Sequence, residues 1–368
     1  MNKLNTGYEE HTTKTKVSHL LDMDDLKLIG KREEELQKEM QVVRTFSDDI
    51  HTEFGLDKRA KIVLKRGKLV QSQNLILDFN KEIQQLKQGK TQKYLRIEDS
   101  EGIQHQQMQE RLKKEYITTF RMILKSELNA KNKITAIGAL AVLVLRHSFG
   151  IINLRLEEIR KIDRKTRKVL TMYKMHHPKA DIDRLYVKRK GGGRGLLQTA
   201  MTHKGETINI AEYLNTKYTE QQFLNIVKSH ESIQPNMNST IKVAAKVVEE
   251  LTQLNENSDT KRKAYNTKAK LGESLKKKLE SKAMHGQHIR SMARQLNSEE
   301  DMFLRQSRGD LKGEIESEII PAQDQALHTK YHATKILQTA TDSQCRLCKQ
   351  FDEIVEHIIS CPILAKEK

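Results

Sequence analysis

The sequence predicts an α+β fold, mostly α. Three observations lead there. Short apolar runs divided by polar turns fill roughly the first hundred residues, and from about residue 101 apolar residues recur every three or four positions. Charged residues reach 31% against 36% hydrophobic in 368 residues. That ratio calls for helices with long solvated faces around a modest core, in two or three domains.

The elements follow in order. Residues 17–30 read as strand, turn and strand, with Asp22, Met23, Asp24 and Asp25 at the turn. Residues 31–54 predict an amphipathic helix with Leu36, Met40, Val43, Phe46 and Ile50 on one face. Short apolar runs at 62–64 and 75–77 and a short strand at 92–97 complete this part. Beyond residue 101, Met108, Leu112, Tyr116, Phe120, Ile123 and Leu124 form one apolar stripe. Residues 134–152 are apolar nearly all round, which predicts a buried helix. Leu156, Ile159, Ile162, Thr166, Val169 and Tyr173 form the next stripe, and Glu157 and Glu158 in its first turn suit the helix dipole. Residues 232–239 and 255–260 read as linkers.

Charge narrows the function classes. Lys and Arg total 66 against 49 Asp and Glu, a net +17. A protein this basic favours a polyanionic partner, and nucleic acid fits better than a membrane. The longest apolar run, 134–145, is too short to span a bilayer. The polar N-terminal residues lack a signal-peptide pattern, so a nuclear or cytoplasmic location is expected. The three cysteines all fall between Cys345 and Cys361, which fits a reducing compartment. Aromatic residues are only 5% and do not cluster, so nucleic acid would be held by backbone and shape.

Two apolar runs around Asp22-Met23-Asp24-Asp25 place adjacent acids at a hairpin turn. Template-directed polymerases need such carboxylates to hold divalent metals at the reacting phosphate; adjacent aspartates also serve simply as turn formers. The neighbourhood resembles the palm of non-LTR retrotransposon reverse transcriptases (the LINE-type, site-specific kind). Asp22-Met23-Asp24-Asp25 resembles the family's aromatic-X-Asp-Asp box, Phe54-Gly55-Leu56-Asp57-Lys58 its next motif, and Lys93-Tyr94-Leu95-Arg96-Ile97 its primer-grip hairpin. The resemblance continues through a thumb at 151–197 and through the terminal cysteines. It implies catalytic roles for Asp24 and Asp25, with Mg²⁺ bound only if the polymerase site is completed. The sequence departs from the family where Asp22 replaces the aromatic residue and Arg96 a glycine. Nothing before Asp24 matches the family's upstream metal-binding aspartate. The expectation is therefore a partial palm, vestigial at Asp24 and Asp25, that does not polymerise alone.

Two basic elements follow. Lys188, Arg189, Lys190 and Arg194 surround a run of glycines, readable as a phosphate-holding loop or as a surface hairpin with solvated charges. The preceding helix carries Lys161, Arg164, Lys165, Arg167 and Lys168, and resembles the thumb helix that grips the template–primer duplex. Gly309-Asp310-Leu311 and the segment 322–327 resemble a stretch between thumb and cysteine motif, with no chemistry assigned.

The strongest chemical signal is Cys345-x₂-Cys348-x₈-His357-x₃-Cys361. Two cysteines two residues apart form a knuckle, and His357 and Cys361 at i, i+4 share a helical face. Four such ligands suit a closed, structural Zn²⁺ site. The pattern resembles the family's cysteine–histidine motif with its last spacing one residue short; His328 and His332 are the candidate substitutes.

The sequence therefore predicts a partial reverse-transcriptase palm (1–100), a helical thumb (101–230), a helical linker region (231–340) and a zinc-binding module (341–368). The expected partner is RNA or an RNA–DNA duplex, and the expected activity is binding without polymerisation. Two alternatives stand beside it. One is a polymerase subunit completed by an upstream palm-bearing chain; the other is a helical, zinc-stabilised interaction module with no nucleic-acid role.

Overall fold

A computed structural model of the chain describes residues 6–11, 13–52, 59–78, 81–152, 154–234, 239–253, 273–292, 308, 311–324 and 326–366. The chain is mostly helical with small sheets. It divides into two compact units: Met1–Arg111 with Gly150–Asn153 and Thr207–Ala245, and Leu112–Phe149 with Leu154–Glu206 and Lys246–Lys368.

In the first unit every named strand pairs in a two-stranded antiparallel hairpin. His19–Asp22 pairs with Asp25–Leu28, so the turn is Met23 and Asp24, with Asp22 directly opposite Asp25. Residues 92–97, read as one strand, instead form half of a hairpin: Gln92–Tyr94 pairs with Ile97–Asp99. Its turn residues Leu95 and Arg96 have φ of 49° and 65°. Two left-handed residues match the twist of the flanking strands, and the second place favours glycine. Arg96 occupies that second place.

The helix Glu33–Asp49 packs Leu36 and Met40 against Leu28, Leu75 and Ile83. Phe46 and Ile50, expected on the buried face, are exposed, because they lie further along the helix than that cluster reaches. Lys61 is buried, and its ammonium donates to Glu33 Oε1 at 2.5 Å and to the Gln73 carbonyl at 2.9 Å.

The second unit is built on helices. Tyr116 and Phe120 of the helix His105–Lys125 are fully buried, and the Tyr116 hydroxyl lies 2.9 Å from Thr166 Oγ1. The helix Leu156–Met172 buries Ile159, Ile162, Thr166 and Val169, as the spacing predicts. Its Asp163 is buried too. That carboxylate accepts from the N–H groups of Thr199 (2.9 Å) and Ala200 (3.1 Å) and from the Thr199 hydroxyl. It thereby caps the helix Thr199–Lys217, satisfying donors that the first helical turn leaves open.

The apolar stretch after Asn129 forms Ala130–Ala136, a π-helical turn Ile137–Ala141, and Val142–Arg146. The prediction of burial all round is corrected: Ile137, Ala141 and Leu145 are buried, while Leu140 and Leu143 are more than half exposed. Neighbouring elements cover only one side.

Two histidines in this unit make stability pH-dependent. Burial, and then the charge of Arg194, bring His176 down to about 4; burial and then Arg184 bring His288 down to about 4. Both rings stay neutral in the fold, whereas in the unfolded chain they take a proton near 6.5. The unfolded state therefore binds more protons below that value. Stability is fully present above pH 6.5 and declines as pH falls to about 4, by at most on the order of 3 kcal/mol per ring. Urea unfolding midpoints measured at pH 7, 6 and 5 are expected to fall in that order. His176→Gln and His288→Gln should each flatten the trend; unchanged midpoints in the parent protein would refute it.

Candidate metal centre and basic elements

The residues 343–366 fold as a small knuckle with two short helices. The Cys345 N–H donates to the Phe351 carbonyl at 2.8 Å, and the Lys349 N–H to the Cys345 carbonyl at 2.9 Å. Lys349 takes a φ of 55°, which turns the chain sharply after Cys348. His357 lies on the helix Val355–Ser360. The sequence reading placed Cys361 on that same helix; it is instead the residue just past it, with φ −57° and ψ 126°. Pro362 follows, and the residue before a proline is driven out of the helical region by the pyrrolidine ring. A further short helix, Pro362–Lys366, then begins.

The four predicted ligands still converge. One donor atom from each of Cys345, Cys348, His357 and Cys361 lies within 4.8 Å of the others, a cluster that can hold a metal ion. Cys348 Sγ is 3.1 Å from His357 Nε2. Burial pushes the Cys345 thiol up, but the N–H groups of Cys348 and Leu347 and the His357 ring outweigh it, and the thiol is held below its ordinary value. The Cys348 thiol is also lowered, chiefly by the Gln350 N–H. Both shifts ease the loss of the proton that metal binding displaces. His328 and His332 are not members of the cluster.

Glu353, unnoticed in the sequence, holds the knuckle in place. Its buried carboxylate accepts from the N–H groups of Lys330 (2.9 Å) and Arg346 (3.0 Å) and pairs with the Arg346 guanidinium at 3.1 Å. Phe351 packs on the His357 ring, with centroids 5.4 Å apart.

Asp24 sits on the exposed turn of the first hairpin and Asp25 begins its second strand. Lys27 of that strand pairs with Asp99 at 2.5 Å, and the Tyr94 hydroxyl donates to the Leu20 carbonyl at 3.3 Å. The two motif hairpins are therefore in contact. Among the described residues, the cysteine–histidine group is the only cluster of three or more potential metal ligands.

The helix Leu156–Met172 presents Arg160, Lys161, Arg164, Lys165 and Lys168 to solvent. Lys161 and Lys113 each bond to Glu158 at 2.7 Å and hold its carboxyl down to about 2. Lys188 and Lys190 are exposed as well. Arg189 and Arg194 are not presented in this way, which corrects the reading of both as exposed loop cations. Arg194 is 0% exposed, with its Nε 3.1 Å from Glu316 Oε1 and its guanidinium donating to the Met175 carbonyl. Arg189 pairs with the same carboxylate at 3.1 Å. The glycines serve this packing: a Cβ on Gly193 would run into the Val187 carbonyl oxygen, and Gly192 has a φ of 81°.

Beside them, Arg184 is fully buried. It donates to Asp324 Oδ1 at 2.7 Å, to Gln323 Oε1 at 2.7 Å and to the Gly192 carbonyl at 2.9 Å. Lys282 pairs with Asp181 at 2.5 Å and Asp183 at 2.6 Å, and Val187, Leu279 and Ile289 form one apolar cluster. Sequence reasoning missed Glu316, and noted the segment 322–327 without giving Asp324 a role. The one available signal was that both lie in a moderately apolar helix, Gly313–Gln323, or at its cap.

The motif 54–58, the linker 255–260, Gly309 and Asp310 lie outside the described residues. Among the described residues no helix is long and apolar enough to cross a membrane. Comparison with protein-family profiles and with curated proteins finds no match to this chain.

Proposed function

We propose that this chain is a C-terminal part of a non-LTR retrotransposon reverse transcriptase that binds the backbone of RNA or an RNA–DNA duplex without polymerising. The observation that carries the reading is the exposed basic face of the helix Leu156–Met172. Arg160, Lys161, Arg164, Lys165 and Lys168 fall at i, i+1, i+4, i+5 and i+8, so they lie along one side of the helix over about 12 Å. That length suits a few successive phosphates of one strand. Support comes from the contact between the Asp24–Asp25 hairpin and the hairpin containing Lys93–Ile97, two motifs that the resemblance assigns to one palm. Among the described residues, Asp24 and Asp25 belong to no group of three or more potential metal ligands.

The metal of the cysteine–histidine cluster is proposed to be Zn²⁺. Three sulfurs and one imidazole nitrogen match its preferred donors, and four protein ligands leave no open position, which makes the role structural.

The test is binding of the full chain to an RNA–DNA primer–template across a salt titration. The logarithm of the affinity should fall linearly with log[salt]. Replacing Lys161, Arg164, Lys165 and Lys168 by Glu should flatten the slope by at least about 3, since each lost phosphate contact removes about 0.9. An unchanged slope would reject this helix as the contact surface. Absence of binding at low salt would move the reading to a zinc-stabilised interaction module.

A further inference from the structure

The cysteine–histidine group also brings three sulfurs together. One donor atom from each of its four residues lies within 4.8 Å of the others. The three cysteines form no disulfide, and their surroundings differ. Cys345 and Cys361 are buried, at 2% and 0% exposure, while Cys348 is partly exposed. Buried structural cysteines are inert, whereas oxidant-sensing ones are reachable thiolates beside a second cysteine. Cys348 meets that description.

Cys345 is the better placed second sulfur. It lies on the same turn of chain, closed by the Lys349 N–H donating to the Cys345 carbonyl at 2.9 Å. Cys361 reaches the cluster from a separate element, just past the helix Val355–Ser360 and before Pro362. The chain itself therefore keeps Cys345 beside Cys348, whereas the position of Cys361 depends on the metal-held fold of the module.

We propose that Cys345 and Cys348 form a reversible disulfide with hydrogen peroxide and thereby release the metal. The Cys348 thiolate attacks one peroxide oxygen. The S–O bond forms, the O–O bond breaks, and hydroxide leaves and takes a proton to become water. Cys348 is then a sulfenic acid, its sulfur oxidised by two electrons. The Cys345 thiolate attacks that sulfur. The S–S bond forms, the S–O bond breaks, and a second hydroxide leaves and is protonated to water. Peroxide has taken up two electrons in all, and the metal has lost two of its four ligands. His357 and Cys361 alone do not make the closed site that a structural zinc needs. A disulfide across two residues closes a small ring, and strained or exposed disulfides are the readily reduced, regulatory ones. A dithiol such as dithiothreitol returns the two electrons, becomes a disulfide itself and restores the ligands. The inference rests on the zinc reading, since the metal gathers these sulfurs as thiolates.

The effect reaches beyond the knuckle. The Lys330 N–H donates to Glu353 at 2.9 Å, the Lys330 ammonium pairs with Asp342 at 2.9 Å, and the Thr334 hydroxyl donates to the Asp342 carbonyl at 2.9 Å. Release of the metal should therefore loosen residues 330–342 as well.

The test is peroxide treatment of the full, zinc-loaded chain, with its metal content measured first. A colorimetric zinc indicator follows release, alkylation of the unfolded chain counts free thiols, and tryptic mapping locates the bond. Trypsin cuts after Arg346, so a Cys345–Cys348 disulfide joins two separate peptides. The expected result is complete loss of zinc, a fall from three free thiols to one, and that bond, all reversed by dithiothreitol with Zn²⁺. Proteolysis within 330–342 should quicken in the oxidised chain. Zinc retained with three free thiols, a bond that includes Cys361 or joins two chains, or oxidation that dithiothreitol does not reverse would overturn the proposal and leave the zinc reading standing. A chain purified under reducing conditions without zinc would instead overturn the zinc reading, and this inference with it.

Discussion

Replacing Asp324 by Ala is expected to destabilise the second unit by about 3–5 kcal/mol, as breaking a fully buried ion pair does. Both Asp324 and Arg184 are 0% exposed in their side chains, 2.7 Å apart. Removing the carboxylate strands a guanidinium whose remaining hydrogen-bond partners among the described residues, Gln323 Oε1 and the carbonyls of Gly192 and Ile320, are neutral. Arg184→Met should cost a similar amount, because it leaves the buried Asp324 carboxylate without its guanidinium; His285, 3.4 Å away, carries a charge only when protonated. The double variant Arg184→Met/Asp324→Leu should cost much less than the sum, since no charge then remains buried. Urea unfolding of the four proteins gives the coupling directly. Losses that simply add, or single losses under about 1 kcal/mol, would mean that the pair is not what joins the helix Gly313–Gln323 to the Arg184 segment.

The second large effect concerns the metal. The purified chain is expected to carry one Zn²⁺, and Cys345→Ser or Cys361→Ser should abolish that stoichiometry. Structural zinc sites bind with about 10–16 kcal/mol at neutral pH, and that energy is folding energy where the ligands converge only in the folded chain. Chelation should therefore expose residues 343–366 to protease and lower the melting temperature. His357→Ala should lose zinc, whereas His328→Ala and His332→Ala should keep it, because neither residue belongs to the cluster. Glu353→Gln should weaken zinc less than any ligand change, since it positions the knuckle through Lys330 and Arg346 without touching the donor group. Metal content by atomic emission decides the matter. Metal-free protein purified under reducing conditions, or full zinc retention in Cys345→Ser, would defeat the assignment.

What the sequence determined by itself is local. The ligand group Cys345, Cys348, His357 and Cys361 was readable because a knuckle and one helical turn bring residues within 17 positions together. The buried and basic faces of the helix Leu156–Met172 were readable because a 3.6-residue period sorts side chains by side without reference to neighbours. The turn at Met23 and Asp24 followed from polar residues between two apolar runs. Even the helix end before Cys361 was available in Pro362, though the i, i+4 spacing masked it.

What only the tertiary structure decided depends on partners far away in the chain. Lys188, Arg189, Lys190 and Arg194 are alike as sequence, yet two face solvent and two face inward. The difference is Glu316, which lies 127 residues beyond Arg189. Arg184 drew no notice because its counter-ion is 140 residues away. Asp163 passed for one charge on a helix face until Thr199 and Ala200 supplied the donors it caps. Leu140 and Leu143 were expected inside because an all-apolar helix has no preferred side. Which side is covered is settled by the elements that pack against it, and periodicity carries no record of them.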